Sequence, residues 1–439
     1  MAFHHASYRA NLPVAHHASP HAYRRLIDRL NRFPKGAPPS ETLYRILALL
    51  FSEREAELVS ALPVRPFTVE RAAAVWKTDP ASARGILDEL AERTILLDME
   101  KNGRTFYILP PPMAGFFEFS LMRVGGAVDQ KALSELYFHY LNVEGEFVRA
   151  LFTGGETQLG RVFVHEPSLT EENSLHVLEY ERASEVIRSA AHIGVGTCYC
   201  RHKMHHMGRA CEAPLDICMT FNTAAASLIR NGYTRSAERE ECLGLLEKAY
   251  AHTLVQFGEN LRKGVNFICN CCGCCCEAMI AARKFGFLHP VHTTNFLPAV
   301  DGNACSGCGK CVQTCPVEAM ALVSANDPKN PRRRKARVDE GLCLGCCVCA
   351  RVCPEGCIRI RSHPSRVITP LNTTHRTVMM AVERGMLQNL IFDTDALLSH
   401  RVMGAILGAI LRLPPVKRVL ACKQVKSRFL EALIARLGV

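Results

Sequence analysis

Twenty-one of the 22 cysteines in this 439-residue chain fall between Cys198 and Cys357. Thiols crowded in this way are metal ligands or redox groups, since a hydrophobic core gives no reason to concentrate them. They form four groups. Cys305, Cys308, Cys311 and Cys315 have the spacing C-x2-C-x2-C-x3-C and are followed by Pro316. Cys343, Cys346, Cys349 and Cys353 repeat that spacing and are followed by Pro354. Upstream, Cys198, Cys200, Cys211 and Cys218 lie within 21 residues, and Cys269, Cys271, Cys272, Cys274, Cys275 and Cys276 within eight. Gly307, Gly309 and Gly345 let the C-terminal loops approach bound sulfur closely and present N–H donors to it. Pro316 and Pro354 fix the chain direction as it leaves the fourth cysteine.

The two proline-terminated motifs closely resemble the bacterial two-cluster ferredoxin domain, over about 60 residues. In that arrangement three thiolates on one tight loop cap three irons of a cubane, and the fourth points away to complete the other cluster. Carried over position by position, the resemblance implies one [4Fe-4S] cluster on Cys305, Cys308, Cys311 and Cys353, and a second on Cys343, Cys346, Cys349 and Cys315. Zinc also takes four thiolates, but a motif of four evenly spaced cysteines ending in proline and present twice argues against it. Cys347 falls at a spacer position and Cys357 follows the second motif; both read as spare buried thiols.

The upstream groups read Cys198-Tyr-Cys200-Arg201, then Cys211 and Cys218, then the block from Cys269 to Cys276. In this order, ahead of a ferredoxin domain, they resemble a family of anaerobe ferredoxin-like iron–sulfur proteins, from about Tyr180 to Ile360. The resemblance implies electron transfer and names no substrate. The residues themselves point to one further [4Fe-4S] cluster, with Cys198, Cys200, Cys211 and Cys218 as first-choice ligands. Cys269, Cys271, Cys272, Cys274, Cys275 and Cys276 would complete it or hold a fourth cluster. Zinc, with a ligand among His202, His205 and His206, and thiol–disulfide chemistry are the alternatives. Cys242 and Cys422 read as isolated thiols.

The elements that must position these groups give an α+β chain. At roughly 150 residues per domain the length corresponds to about three domains. Residues 1–37, rich in His, Arg and Pro, read as a mobile segment ending in a helix from Ala22 to Phe33. Residues 38–125 read as a small domain. Ser40 and Thr68 cap two helices, Ala81 to Thr94 is a third, and two strands flank the turn Lys101-Asn-Gly-Arg104. Helix, helix-turn-helix and a two-stranded wing resemble the winged-helix fold. Residues 126–190 read as a helical connector, 191–297 as a helical cysteine-rich iron–sulfur region, 298–362 as a ferredoxin-like βαββαβ two-cluster domain, and 363–439 as a helical tail. The tail ends in a basic amphipathic segment, Val416 to Leu437.

The net charge of +11 permits an acidic partner without demanding nucleic acid. Between the ferredoxin motifs, Arg332, Arg333, Arg334, Lys335 and Arg337 read as a solvated loop or as a docking patch for an acidic redox partner. The N-terminus has no apolar secretory core, and the longest apolar stretch, Val402 to Leu411, is about half a membrane span. A soluble cytoplasmic protein without a membrane span is expected. Signatures of dinucleotide folds, phosphate-binding loops, hydrolase elbows and covalent haem are absent.

The leading expectation is a carrier of single electrons between a soluble donor and a partner oxidoreductase, ferredoxin or flavodoxin, with no catalytic residue of its own and a possible homodimer. Two alternatives stand beside it. One is a redox-responsive winged-helix regulator of DNA, disfavoured because the third helix carries three acidic and two basic residues. The other is an Fe–S subunit that reduces a substrate at an open cluster in the Cys269–Cys276 block.

Overall fold

The structure, a computed structural model, describes residues 20–125, 128–152, 155–286, 291, 293–364, 366–394 and 396–411. Most of the histidine-rich N-terminal segment, the basic stretch Val416 to Leu437 and Cys422 lie outside the described residues. The chain is α+β, built mainly of helix with small sheets. No helix among the described residues is long and apolar enough to cross a membrane.

The N-terminal region packs helices Pro20–Leu30, Glu41–Leu50, Glu53–Ser60, Val69–Trp76 and Pro80–Glu92 against a hairpin of β1 (Leu97–Lys101) and β2 (Arg104–Ile108). Ser40 and Thr68 cap their helices as expected, each accepting a backbone N–H three residues on. The helix Glu53–Ser60 was not expected from periodicity; a reciprocal capping box between Ser52 and Glu55 starts it. Asn102 and Gly103, at φ 52° and 70°, form the tight hairpin turn. A bridge between Phe67 and Tyr107 ties the chain ahead of helix Val69–Trp76 to the hairpin. On its other side the hairpin is docked. Asp98 accepts hydrogen bonds from Ser227 Oγ at 2.5 Å and Asn231 Nδ2 at 3.1 Å, and pairs with Arg230.

The middle of the chain departs from the expected helical region. Residues 160–271 form a six-stranded antiparallel sheet in the order β3-β7-β8-β5-β4-β6. Its strands are β3 (Gly160–Val162), β4 (Ile193–Thr197), β5 (Asp216–Phe221), β6 (Arg235–Ser236), β7 (Val255–Glu259) and β8 (Phe267–Cys271). The edge strand β3 comes from the segment expected to be a helical connector. Glycines and cysteines in β4 and β8 hide the usual β-branched signature. A Cβ on Gly194 would lie 2.5 Å from Thr234 Oγ1, so this strand is glycine-rich because a neighbouring loop presses on it.

Residues 296–362 run strand, helix, strand, strand, helix, strand. β9 (Phe296–Val300) pairs with β12 (Ile358–Ser362), and β10 (Met320–Ser324) with β11 (Arg334–Val338). Short helices Lys310–Thr314 and Val348–Arg351 lie between them. The tail contributes helices Thr373–Glu383, Leu387–Ile391 and Leu398–Leu411. Arg376, on the first of these, is fully buried. It pairs with Glu259 at 2.6 Å and donates to Leu159 O at 3.0 Å, fastening the tail to the β3–β7 edge. Removing one member of such a pair strands the other as a buried charge. Arg376→Ala is expected to destabilise the protein by about 3–5 kcal/mol in anaerobic denaturant unfolding, whereas Arg230→Ala, at a half-exposed pair, is expected to cost under about 1 kcal/mol.

Candidate metal centres

In the C-terminal region Cys305, Cys308, Cys311 and Cys353 line one cavity of about 310 Å³. The fourth cysteine of the second motif thus sits with the first three of the first. Cys357 joins them, its Sγ 3.4 Å from Cys353 Sγ, so it is a fifth thiol at this cavity and not a distant spare. Cys315 in turn lies with the second loop, close enough that its charge acts on Cys343, Cys346 and Cys349. Burial pushes Cys343 up to about 11, with the Cys315 charge adding to it. Backbone N–H groups already aim at these sulfurs. Ala336 N–H donates to Cys305 at 3.4 Å, Ala319 N–H to Cys315 at 3.2 Å and Gly345 N–H to Cys343 at 3.4 Å. Such N–H···S bonds tune the potential of a thiolate-bound cluster.

Gly345 has φ 66°, and a Cβ there would meet Phe296 O at 2.0 Å, so the loop passes where only glycine fits. Cys347 occupies the position that Gly309 holds in the first motif, and both are left-handed, at φ 64° and 78°. Its thiol is buried and donates to Gly345 O at 3.2 Å, so it braces the loop from behind.

The upstream thiols divide differently from the sequence expectation. Cys198, Cys200 and Cys218 line a cavity of about 250 Å³ together with Cys269, Cys271 and Cys276, and Cys272 also borders it. The first six thiols act on one another in a closed ring in the order 198, 200, 276, 271, 269, 218 and back to 198, with Cys271 Sγ and Cys276 Sγ in hydrogen-bonding contact. Cys211 is not part of it. Cys211 groups instead with Cys272, Cys274 and Cys275, all four sulfurs lying within 4.8 Å of one another. Within that group Cys211 Sγ is 3.6 Å from Cys272 Sγ and 3.8 Å from Cys275 Sγ. The structure thus sets Cys211 apart from Cys198, Cys200 and Cys218 of the first-choice set. Strand pairing is the cause. β5 and β8 pair at Met219 and Ile268, and one step along that ladder brings Cys218 beside Cys269. Cys269 and Cys271, two residues apart on β8, share a face. Cys198 follows β4 and caps helix Tyr199–His206, Cys200 lies on that helix, and Cys276 caps helix Glu277–Lys284.

The histidines near this region are engaged elsewhere. His202 Nδ1 lies 2.8 Å from Leu121 O, and His206 Nε2 lies 3.2 Å from His202 Nε2. Among the described residues no histidine groups with these thiols. Cys242 is fully buried among Leu246, Tyr250 and Ile187, in an apolar core.

Sequence reasoning noted Arg201 and gave it no role. Its guanidinium is fully buried and donates to Pro214 O at 2.8 Å and Asn270 O at 2.7 Å. Burial works against its charge, but the nearby sulfurs of Cys198, Cys218, Cys272 and Cys271 outweigh that and hold it protonated. Those sulfurs belong to both upstream groups, so one cation serves the two. A hydrogen bond from Cys275 holds Cys272 down at about 5 against the effect of burial, and Arg201 adds to this. A second buried cation, Lys203, pairs with Glu277, which also accepts from Asn142 Nδ2 at 2.8 Å. Burial pulls Lys203 down to about 8, opposed by the sulfurs of Cys200, Cys276 and Cys275.

Next to the six-thiol ring lies a second, largely apolar cavity of about 630 Å³. Cys200, Cys269 and Cys276 form part of its wall, with Tyr199, Phe147 and Glu118 among the other lining residues. Burial, reinforced by the Cys276 sulfur, pushes the Glu118 carboxyl up to about 8. Glu118 escaped the sequence reading because a single Glu between phenylalanines carries no motif.

A family model described as a 4Fe-4S dicluster domain matches residues 304–357. No curated protein and no solved structure matches the chain. An iron–sulfur domain of ferredoxin type therefore occupies this stretch, and its abundant thiols mark the chain as an iron–sulfur electron-transfer protein.

Replacing Arg201 with methionine keeps much of its volume and removes the cation that faces the upstream sulfurs. R201M is expected to lose about 4–8 irons per chain, measured by iron analysis of anaerobically purified protein, while the iron of the ferredoxin stretch stays.

Proposed function

We propose that this protein carries single electrons in the cytoplasm through four thiolate centres to a partner oxidoreductase. Two would be [4Fe-4S] clusters, one on Cys305, Cys308, Cys311 and Cys353 and the other on Cys343, Cys346, Cys349 and Cys315. The two upstream centres would lie at the six-thiol ring and at Cys211, Cys272, Cys274 and Cys275. The observation that carries this reading is the sorting of 19 thiols, Cys357 included, into four compact groups, with buried cations and N–H donors already turned toward them. A chain of such centres moves electrons without bond chemistry on a substrate, and thiolate ligation keeps their potentials low.

Entry or exit at the first ferredoxin cluster is supported by its surroundings. Cys308 is exposed. The β10–β11 hairpin beside it carries exposed Arg332, Arg334 and Arg337. An acidic donor of the ferredoxin or flavodoxin kind would be steered there by charge. The N-terminal region would be a winged-helix scaffold for protein contact and not a reader of DNA. Its hairpin is already docked on helix Asn222–Arg230, and helix Pro80–Glu92 exposes Asp88, Glu89 and Glu92 against a single arginine, Arg84. Iron and acid-labile sulfide on anaerobically purified protein test the reading. About 16 of each per chain are expected, and about 8 would confine the clusters to the ferredoxin stretch.

The cavity beside the six-thiol ring favours a second reading, in which the upstream centre also reduces a small apolar substrate with Glu118 supplying a proton. A carboxyl with a pKa of about 8 is neutral below that pH and negative above it. An added negative charge opposes reduction of the neighbouring centre. Its potential is therefore expected to fall as pH rises through about 8 in the parent and to lose that step in Glu118→Gln, measured by EPR-monitored redox titration from pH 6.5 to 9.5. A potential with the same pH course in both proteins would remove Glu118 from this role.

A further inference from the structure

The six-thiol ring contains more sulfur than one cubane uses. A [4Fe-4S] cluster has four irons and takes four terminal thiolates. One such cluster takes four of the thiols that line this chamber. Two of the six thiols are therefore left over. Of the extra thiols elsewhere, Cys242 is turned away into apolar packing, and Cys357 is a single fifth thiol at the first ferredoxin cavity. Here all six converge on one chamber.

The geometry singles out the pair. Cys271 Sγ and Cys276 Sγ are 3.1 Å apart, closer than any of the sulfur–sulfur contacts of the second group. They span four residues, Cys272 to Cys275, between the end of β8 and the cap of helix Glu277–Lys284. Cys276 also borders the apolar cavity, as Cys200 and Cys269 do. The other four thiols come from the paired strands β5 and β8 and from the Cys198–Cys200 turn.

We propose that Cys198, Cys200, Cys218 and Cys269 hold one cubane, and that Cys271 and Cys276 form a redox-active dithiol beside it. This rests on the reading that the ring holds a cluster. In the oxidised form a bond joins Cys271 Sγ to Cys276 Sγ. Two electrons and two protons break that bond and give two thiols. The electrons arrive singly from a low-potential one-electron donor through the ferredoxin clusters, and the protons come from solvent. In the reverse direction the Cys276 sulfur attacks one sulfur of a small organic disulfide in the apolar cavity and expels one thiol. Cys271 then displaces the second thiol and closes the protein disulfide. The chain would so convert one-electron traffic into two-electron thiol chemistry, a conversion for which the sequence offers no flavin or nicotinamide site.

The test uses full-length, anaerobically purified protein with 4,4′-dithiodipyridine as the probe disulfide. Dithionite-reduced protein is treated with one equivalent, free thiols are blocked with iodoacetamide, and the newly reduced ones are labelled with N-ethylmaleimide for peptide mapping. The expected result is N-ethylmaleimide on both Cys271 and Cys276, with about two thiopyridones released per chain and no loss of iron. Cys271→Ser and Cys276→Ser are each expected to keep the parent iron content and lose the double label, whereas Cys218→Ser loses about four irons. Loss of about four irons from Cys271→Ser or Cys276→Ser would make those thiols ligands and overturn the proposal. So would an unlabelled pair in the parent protein. Parent iron of only about 8 per chain is a separate outcome, since it removes the upstream cluster itself.

Discussion

Everything in this protein depends on burying many thiolate sulfurs close together. A thiolate in a low-dielectric interior is costly, and several at hydrogen-bonding distance repel one another. The fold answers with fixed positive charge and oriented dipoles. Arg201 faces sulfurs of both upstream groups, Lys203 lies near Cys200 and Cys276, and the amides of Ala278 and Met279 point at Cys276. In the ferredoxin stretch the same task falls to loop amides, such as Gly345 N–H on Cys343. The cations are themselves buried and tied to carbonyls or to Glu277, so they cannot drift away from the sulfurs they offset.

That requirement explains the architecture around the sites. The six-stranded sheet sets thiols at fixed spacing on one face, which a run of loops would not do. On the side of the apolar cavity a helical layer rich in aromatic rings keeps water out. Phe117 packs on Tyr137 with centroids 4.8 Å apart, and Tyr140 on Phe147 at 5.2 Å. The tail helix Thr373–Glu383 is clamped by Arg376 to the far edge of the sheet, which holds the strands that carry no sulfur in register with those that do. His165 links the sheet to the ferredoxin stretch. Its backbone N–H donates to Cys346 O at 3.1 Å and its ring packs on Tyr250 at 4.5 Å.

How much of this was legible depended on whether the relevant signal was local. The helix caps at Ser40 and Thr68 and the Asn102-Gly103 turn were readable because each is decided by a few adjacent residues. The capping box at Ser52 and Glu55 was equally local and went unread. The sheet was missed because β4 is glycine-rich and β8 ends in cysteines, so neither shows the alternation or β-branched content of an ordinary strand. Glu118 and Lys203 gained their roles only from what the fold placed around them.

The sequence by itself determined the two ferredoxin loops. Three cysteines at two-residue spacing, glycines at positive φ and a terminal proline shape each loop through bonded geometry and short-range sterics. It also determined that the upstream block concerns sulfur chemistry. Tertiary structure alone decided which upstream thiols share a centre. Cys218 meets Cys269, and Cys211 meets Cys272, across intervals of more than 50 residues. The first of those meetings is set by strand register, and a shift of one residue would turn Cys218 or Cys269 to the opposite face of the sheet; the second joins two loop residues that the fold brings together.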